Sequence, residues 1–209
     1  MIPVNVLAVR YLANASPSLC KALGAPGGYP SLAMLTTDCD DATYIALDEA
    51  TKAAEVEVSY GRSFYAGAAN ASAPNAGEVI GILAAQTPGA VRSGMDAALA
   101  ALRRVGFEEA NNVPFLAHTV SSVGSFLAKE AGVPVGTALA YLIAPPLEGM
   151  YAMDAALKAA DVKLCKLYAP PSETNFGGGL LSGTQSACDA ACAAFAEAVA
   201  EVAARPREM

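Results

Sequence analysis

Seven carboxylates crowd the stretch TTDCDDATYIALDEATKAAEVEV, residues 36 to 58: Asp38, Asp40, Asp41, Asp48, Glu49, Glu55 and Glu57. Carboxylates this close together could hold a divalent cation, bind an ammonium group, or divide a proton for acid–base work. Their places along the chain predict less. Asp40 and Asp41 precede a helical pattern, where a carboxylate accepts the free N–H groups of the first turn and meets the favourable end of the helix dipole. At least one of them is expected to cap that helix. Asp48, Glu49, Glu55 and Glu57 are expected on a solvated face. One aspartate is then left free to point into a cavity, which makes a fragment of a binding site rather than a catalytic dyad.

The other reactive side chains point the same way. His118 is the single histidine and falls in the strand-like FLAHTVSS, where a hydrogen-bonded structural imidazole is expected. A Ser–His–Asp triad would have to use it, and the chain contains no Gly-x-Ser-x-Gly turn to present a nucleophile. Cys188 and Cys192 stand four apart, a spacing that could hold a metal. They also fall in the apolar helical stripe Cys188, Cys192, Phe195, Val199 and Val202, which predicts core. NFGGGLLSG has the glycines of a phosphate loop but neither its lysine nor the G-x-G-x-x-G spacing. No metal, nucleotide or catalytic site is expected.

Composition narrows the partners. The formal net charge is −7, and the 13 Lys and Arg form no patch beyond Arg103-Arg104, which argues against a nucleic-acid partner. No apolar run approaches the roughly 20 residues that span a bilayer, and MIPVNVLAVRYLANA reads as a strand interrupted by Arg10 rather than a leader. Five cysteines without a C-x-x-C pair suit a reducing cytoplasm. Of the 209 residues 47 are Ala, so the apolar content lies in small side chains, each burying little area. Burial between subunits is the expected supplement.

These residues are positioned by a module that occurs twice. DEATKAAEVEV (48 to 58) aligns with DAALKAADVKL (154 to 164) at six identities in eleven positions, and the likeness continues on both sides in the same order. LAMLTTDCDDATY matches LAYLIAPPLEGMY, and NVLAVRYLANASPSLCKALGAP parallels PFLAHTVSSVGSFLAKEAGVP. The seam falls near Gly106, giving domains 1–106 and 107–209. In the first copy, strands are predicted over 4–12 and 32–37, a short helix over SPSLCKALG, and a helix over about 42–54 that buries Ala42, Ile45, Ala46, Ala50 and Ala53. VEVSY is expected to alternate, with Val56, Val58 and Tyr60 inward. GEVIGILAA is a further strand, and Thr87-Pro88 opens a helix buried along Val91, Met95, Ala98, Leu99 and Leu102. The second copy repeats the set over about 114–203. The fold class is α/β of the α+β kind, each copy a mainly antiparallel sheet with packed helices in a ferredoxin-like arrangement. Two loops, 61–78 and 169–179, fall at equivalent places, and their Gly, Ala, Ser, Asn and Pro suit irregular, mobile backbone. The acidic cluster, by contrast, does not recur: Ala144, Pro146 and Leu147 stand opposite Asp38, Asp40 and Asp41.

DCDDATYIALDEATKAAEVEVSYGRSFYAGAAN, AGEVIGILA, AYLIAPPLE with YAMDAALKAADV, and APPSETNFGGGLLSGTQSACDAAC resemble signature stretches of one family. It is the bacterial microcompartment shell proteins with tandem shell domains, ethanolamine-utilisation type, and the resemblance spans nearly the whole chain. It implies two circularly permuted shell domains, no catalytic activity, a homotrimeric pseudohexagonal tile, and edge-to-edge contact with other shell proteins around ethanolamine-degrading enzymes. It further implies that the two loops meet at the trimer axis as a gated pore. Arg62, Ser63, Phe64, Tyr65 and Asn70 would come from the first loop, and Ser172, Glu173, Thr174, Asn175 and Phe176 from the second. Small pores within each subunit would bind ethanolamine through Asp41, Glu78 and Phe107. Carboxylates and an aromatic face suit an ammonium through charge-assisted hydrogen bonds and cation–π contact. No cofactor is required, although the family brings an association with cobalamin that no motif here marks. SSVGSFL departs from the family's SRTGSYL at Ser122, Val123 and Phe126. Apart from the resemblance, a soluble trimeric small-molecule-binding regulator or a Mg-dependent enzyme built on Asp38 to Asp41 would also suit the residues.

Overall fold

The runs read as strands form two sheets in which every strand pair is antiparallel. The computed structural model describes residues 1–64, 77–170, 172 and 174–207, and the chain divides into two compact units. The first comprises Pro3–Gly106 with Gly124–Leu127, and the second Met1–Ile2, Phe107–Val123 and Ala128–Met209.

In the first unit the order is β1 (Val6–Leu12), α1 (Pro17–Ala22), β2 (Ser31–Thr37), α2 (Asp40–Ala53), β3 (Glu57–Ser63), β4 (Val79–Ala85) and α3 (Pro88–Leu102), and the sheet runs β1-β2-β4-β3. The second runs β5 (Glu108–Ala110), β6 (Val113–Val120), α4 (Ser125–Ala131), β7 (Ala138–Ala144), α5 (Pro146–Ala159), β8 (Lys163–Tyr168), β9 (Gly177–Gly183) and α6 (Gln185–Ala204), in sheet order β5-β6-β7-β9-β8. The first three residues of α4 belong to the first unit.

Small residues let the helices lie close on the sheets. A Cβ on Gly81 of β4 would stand 2.6 Å from a methyl of Leu47, itself fully buried in α2. The apolar stripe of α3 holds Val91, Met95, Ala98 and Leu102 in the core, as its spacing predicts, whereas Leu99 is only half-buried. Thr87 caps that helix, its Oγ1 accepting the N–H of Ala90 at 3.2 Å, and Thr184 does the same for α6 through Ala187 at 3.2 Å. Thr87→Ala is expected to cost about 1 kcal/mol in urea unfolding; an unchanged midpoint would show that the cap contributes nothing.

Three expectations need correction. Helix α2 begins at Asp40, two residues early, and it buries Thr43, Leu47 and Asp48 as well as the expected face, whereas Ala53 is exposed. The inward alternation of Val56, Val58 and Tyr60 is broken by a bulge between Val58 and Tyr60, which adds a residue to β3 and turns the strand. Arg62 and Ser63 are strand residues, so the first loop starts later than residue 61.

Candidate functional site

The acidic cluster is shaped by two threonine hydroxyls. Oγ1 of Thr37, at the end of β2, lies 2.7 Å from Oγ1 of Thr43 and accepts the N–H of Cys39 at 3.1 Å. Both hydroxyls also lie within hydrogen-bond distance of the Cys39 carbonyl, at 2.9 and 2.8 Å. This knot turns the chain sharply from strand to helix and sets Asp40 and Asp41 in the first turn of α2, both buried. Cys39 occupies the capping position and makes no side-chain cap bond. The expected carboxylate cap is therefore corrected: Asp40 Oδ1 accepts the N–H of Asp41 at 2.9 Å from inside the first turn. Asp38 is exposed and occupied, its two oxygens accepting the backbone N–H of Asn5 at 2.8 Å and the Asn5 amide at 2.6 Å.

Glu78 enters through its backbone, its N–H donating to the Thr37 carbonyl at 2.8 Å, next to Gly77 at φ +65°. A Cβ on Gly77 would lie 2.2 Å from that same carbonyl oxygen, so the close approach requires glycine. Loss of solvent, and then the charges of Asp40 and Asp38, push the Glu78 carboxyl above its ordinary value. Glu78 is thus within electrostatic reach of Asp40 and Asp38, neither of which is in the expected ligand set of Asp41, Glu78 and Phe107. Among the described residues no group of three or more His, Cys, Asp or Glu is arranged to hold a metal ion. Burial pushes the Cys39 thiol far up; the N–H of Ala42 opposes this and the charges of Asp41, Asp40 and Asp38 reinforce it, so the sulfur stays protonated.

Phe107, the third residue of the expected ligand set, belongs to the second unit. Its half-buried ring stands edge-on to Phe176, with centroids 5.5 Å apart, and its carbonyl accepts the N–H of Ile2. Of the expected pore residues, Arg62 lies over the Tyr60 ring at 5.7 Å, Ser63 Oγ is 2.6 Å from the Tyr44 hydroxyl, and the Phe64 N–H donates to the Glu78 carbonyl. Ser172 organises the second loop: its hydroxyl reaches the carbonyls of Thr174 at 2.8 Å and Phe176 at 2.7 Å and accepts the Thr174 N–H at 3.2 Å. Asn175 lies between them in the same bend. Tyr65, Asn70 and Glu173 lie outside the described residues.

Asp48 overturns the solvated-face reading. It is fully buried, its Oδ2 accepting the N–H of Gly124 at 2.7 Å and its Oδ1 that of Leu127 at 2.8 Å. Thr51, one turn on, accepts the N–H of Ser125 at 3.0 Å. Together they hold three of the four N–H groups that α4 cannot satisfy within itself. No local pattern announces this, since the donors lie 76 and 79 residues away. Glu55 and Glu57 are exposed as expected, and Glu49 bonds Lys52. His118 lies half-buried in β6 opposite Tyr141. Cys188 and Cys192 are core residues, and burial pushes the Cys192 thiol up to about 11.

Comparison with known proteins is decisive over the whole chain. A BMC domain model matches residues 31–114. The bacterial microcompartment shell protein EutL of Clostridium perfringens is 58% identical over 210 aligned positions, covering 99% of this chain and 97% of that protein. EutL of Salmonella typhimurium is 48% identical over 99% of this chain and 96% of its own length. The crystal structure of the ethanolamine utilization protein EutL from Leptotrichia buccalis superposes with a TM-score of 0.95 at 56% identity, covering 100% of this chain and 98% of that one. A trimeric bacterial microcompartment shell protein, PduB, shares the fold at a TM-score of 0.80 and 18% identity.

Proposed function

This chain belongs to the EutL family of bacterial microcompartment shell proteins, and on that premise we propose that three copies form a flat tile carrying a gated central pore and small amine-binding pores. The protein is a structural shell component and not an enzyme, as its full-length relatives are. Tiles join other shell proteins edge to edge. The connections between β3 and β4 and between β8 and β9 line the central opening. Ethanolamine is the ligand of the small pores, with Asp41 and Glu78 receiving the ammonium and Phe107 offering its ring. The observation that carries the amine reading is the carboxylate group on the first unit, in which Glu78 is raised first by loss of solvent and then by the charges of Asp40 and Asp38. A cation relieves that repulsion, and an ammonium adds directed hydrogen bonds. No cofactor is required by this reading; cobalamin, the bulky candidate that the family association adds, is a second ligand for the same titrations.

Electron microscopy of the purified protein at rising concentration tests the tile. Flat layers with a hexagonal lattice are the expected result. Discrete particles that never extend would favour a soluble binding protein and overturn the shell role for this chain alone. No helix among the described residues is long and apolar enough to cross a membrane, so lipid is not needed in the preparation.

A further inference from the structure

Asp38 stands where β2 gives way to the carboxylate turn, and it is approached from both edges of its strand. Sheet order places β2 between β1 and β4. On the β1 edge the ladder runs one residue past the strand: Val6 pairs with Thr37, and the Asp38 N–H donates to the Asn5 carbonyl at 3.3 Å. On the β4 edge the Thr37 carbonyl accepts the N–H of Glu78 at 2.8 Å. Asn5 immediately precedes β1 and Glu78 immediately precedes β4, so the two flank the end of β2 from opposite edges.

The Asp38 side chain goes to the Asn5 edge. Its Oδ1 accepts the backbone N–H of Asn5 at 2.8 Å and its Oδ2 accepts the Asn5 side-chain amide at 2.6 Å, so one residue occupies both oxygens. Hydrogen bonds to an ionised acceptor are the strong ones, and two of them fix the plane of the carboxylate as well as its place. Among the described residues no cation pairs with Asp38, and its charge still bears on Glu78. The amide is the apt group for this. It holds the carboxylate without cancelling its charge, as a lysine would, whereas an aliphatic side chain would leave Oδ2 without its donor.

We propose that Asn5 is a specificity-determining positioning residue of the amine site: by holding the Asp38 carboxylate on the β1 edge, it leaves Asp41 and Glu78 as the pair that meets the ligand. The inference rests on the amine reading above and deepens it. Asp38 then draws cations in through its charge and makes no contact with them. Without the amide, rotation about the Cα–Cβ bond brings other staggered positions of the carboxylate within reach, including those toward β4. A third carboxylate on that edge favours a ligand with a second ammonium over one with a hydroxyl, because only the ammonium adds a charge-assisted bond.

The test is calorimetric titration of the full chain with ethanolamine and with trimethylenediamine, which carries an ammonium at each end at neutral pH. Asn5 is exposed, so Asn5→Ala removes the amide without opening the core. The ratio of diamine to ethanolamine affinity is expected to rise about tenfold in that variant, the size of one charge-assisted bond less the freedom it restrains. In an Asp38→Asn background the same change at residue 5 should move the ratio by less than about twofold, since the carboxylate through which Asn5 acts is gone. Equal weakening of both ligands by Asn5→Ala would make Asn5 a merely structural residue and overturns the proposal. A ratio that rises as much in the Asp38→Asn background overturns it too. Asn5→Ser, which shortens the donor and keeps the edge polar, carries the same expectation where Asn5→Ala does not fold. A parent protein that binds neither amine overturns the amine reading and this inference together, whereas a parent that binds ethanolamine and a variant with an unmoved ratio overturn the role of Asn5 alone.

Discussion

Asp48→Ala is expected to destabilise the protein by about 2–5 kcal/mol, the largest effect of any carboxylate change in the 36–58 segment. The loss leaves the N–H groups of Gly124 and Leu127 buried without an acceptor, and each such group costs about 1–3 kcal/mol. Glu55→Ala, seven residues on and exposed, should stay within about 0.5 kcal/mol. Urea unfolding of both variants at one protein concentration checks this, and equal effects would mean that Asp48 is not the acceptor described. The pH dependence carries a sign. Burial raises the Asp48 carboxyl above its ordinary 3.8, outweighing the N–H bonds from Gly124 and Leu127 and the charge of Lys52 that lower it. The folded state therefore holds the proton to higher pH than the unfolded chain does. The stability linked to that proton is complete below the unfolded value and is lost as pH rises through the folded one. Asp48→Asn, which cannot ionise, should thus gain on the parent protein as pH rises from about 4 to 7. A gap that stays constant or narrows would remove the burial effect.

The second large effect is on ligand binding. Asp41→Ala should weaken ethanolamine binding about 10–100-fold in calorimetry, since a charge-assisted hydrogen bond contributes about 1.5–3 kcal/mol. Sedimentation should match that of the parent protein, because the change is confined to the first turn of α2. Unchanged affinity would take Asp41 out of the site and pass its role to Asp40, whose charge bears on Glu78. A coincident loss of assembly would mean that the variant disturbed the α2 turn instead.

Whatever depended on near neighbours was legible. Repetition of DEATKAAEVEV as DAALKAADVKL revealed the duplication, Thr87-Pro88 marked a helix start, and the spacing of Cys188, Cys192, Phe195 and Val199 identified core rather than metal. Period and capping act over a few residues, so the chain displays them directly. The acidic stretch was read correctly only where its environment is local: Glu55 and Glu57 are solvated, but Asp40 and Asp41 lie inside the helix rather than before it because two threonine hydroxyls tighten the turn.

The sequence by itself determined the twofold design, the family and the element order apart from the short β5, the additional edge strand of the second sheet. Tertiary structure alone decided which of two equivalent aspartates is buried. Asp48 and Asp154 sit in near-identical helices, yet one lies under Gly124–Leu127 and the other faces solvent. The difference is whether a segment distant in sequence packs over the carboxylate, and burial of that kind is set by the folded chain as a whole rather than by the residues beside it.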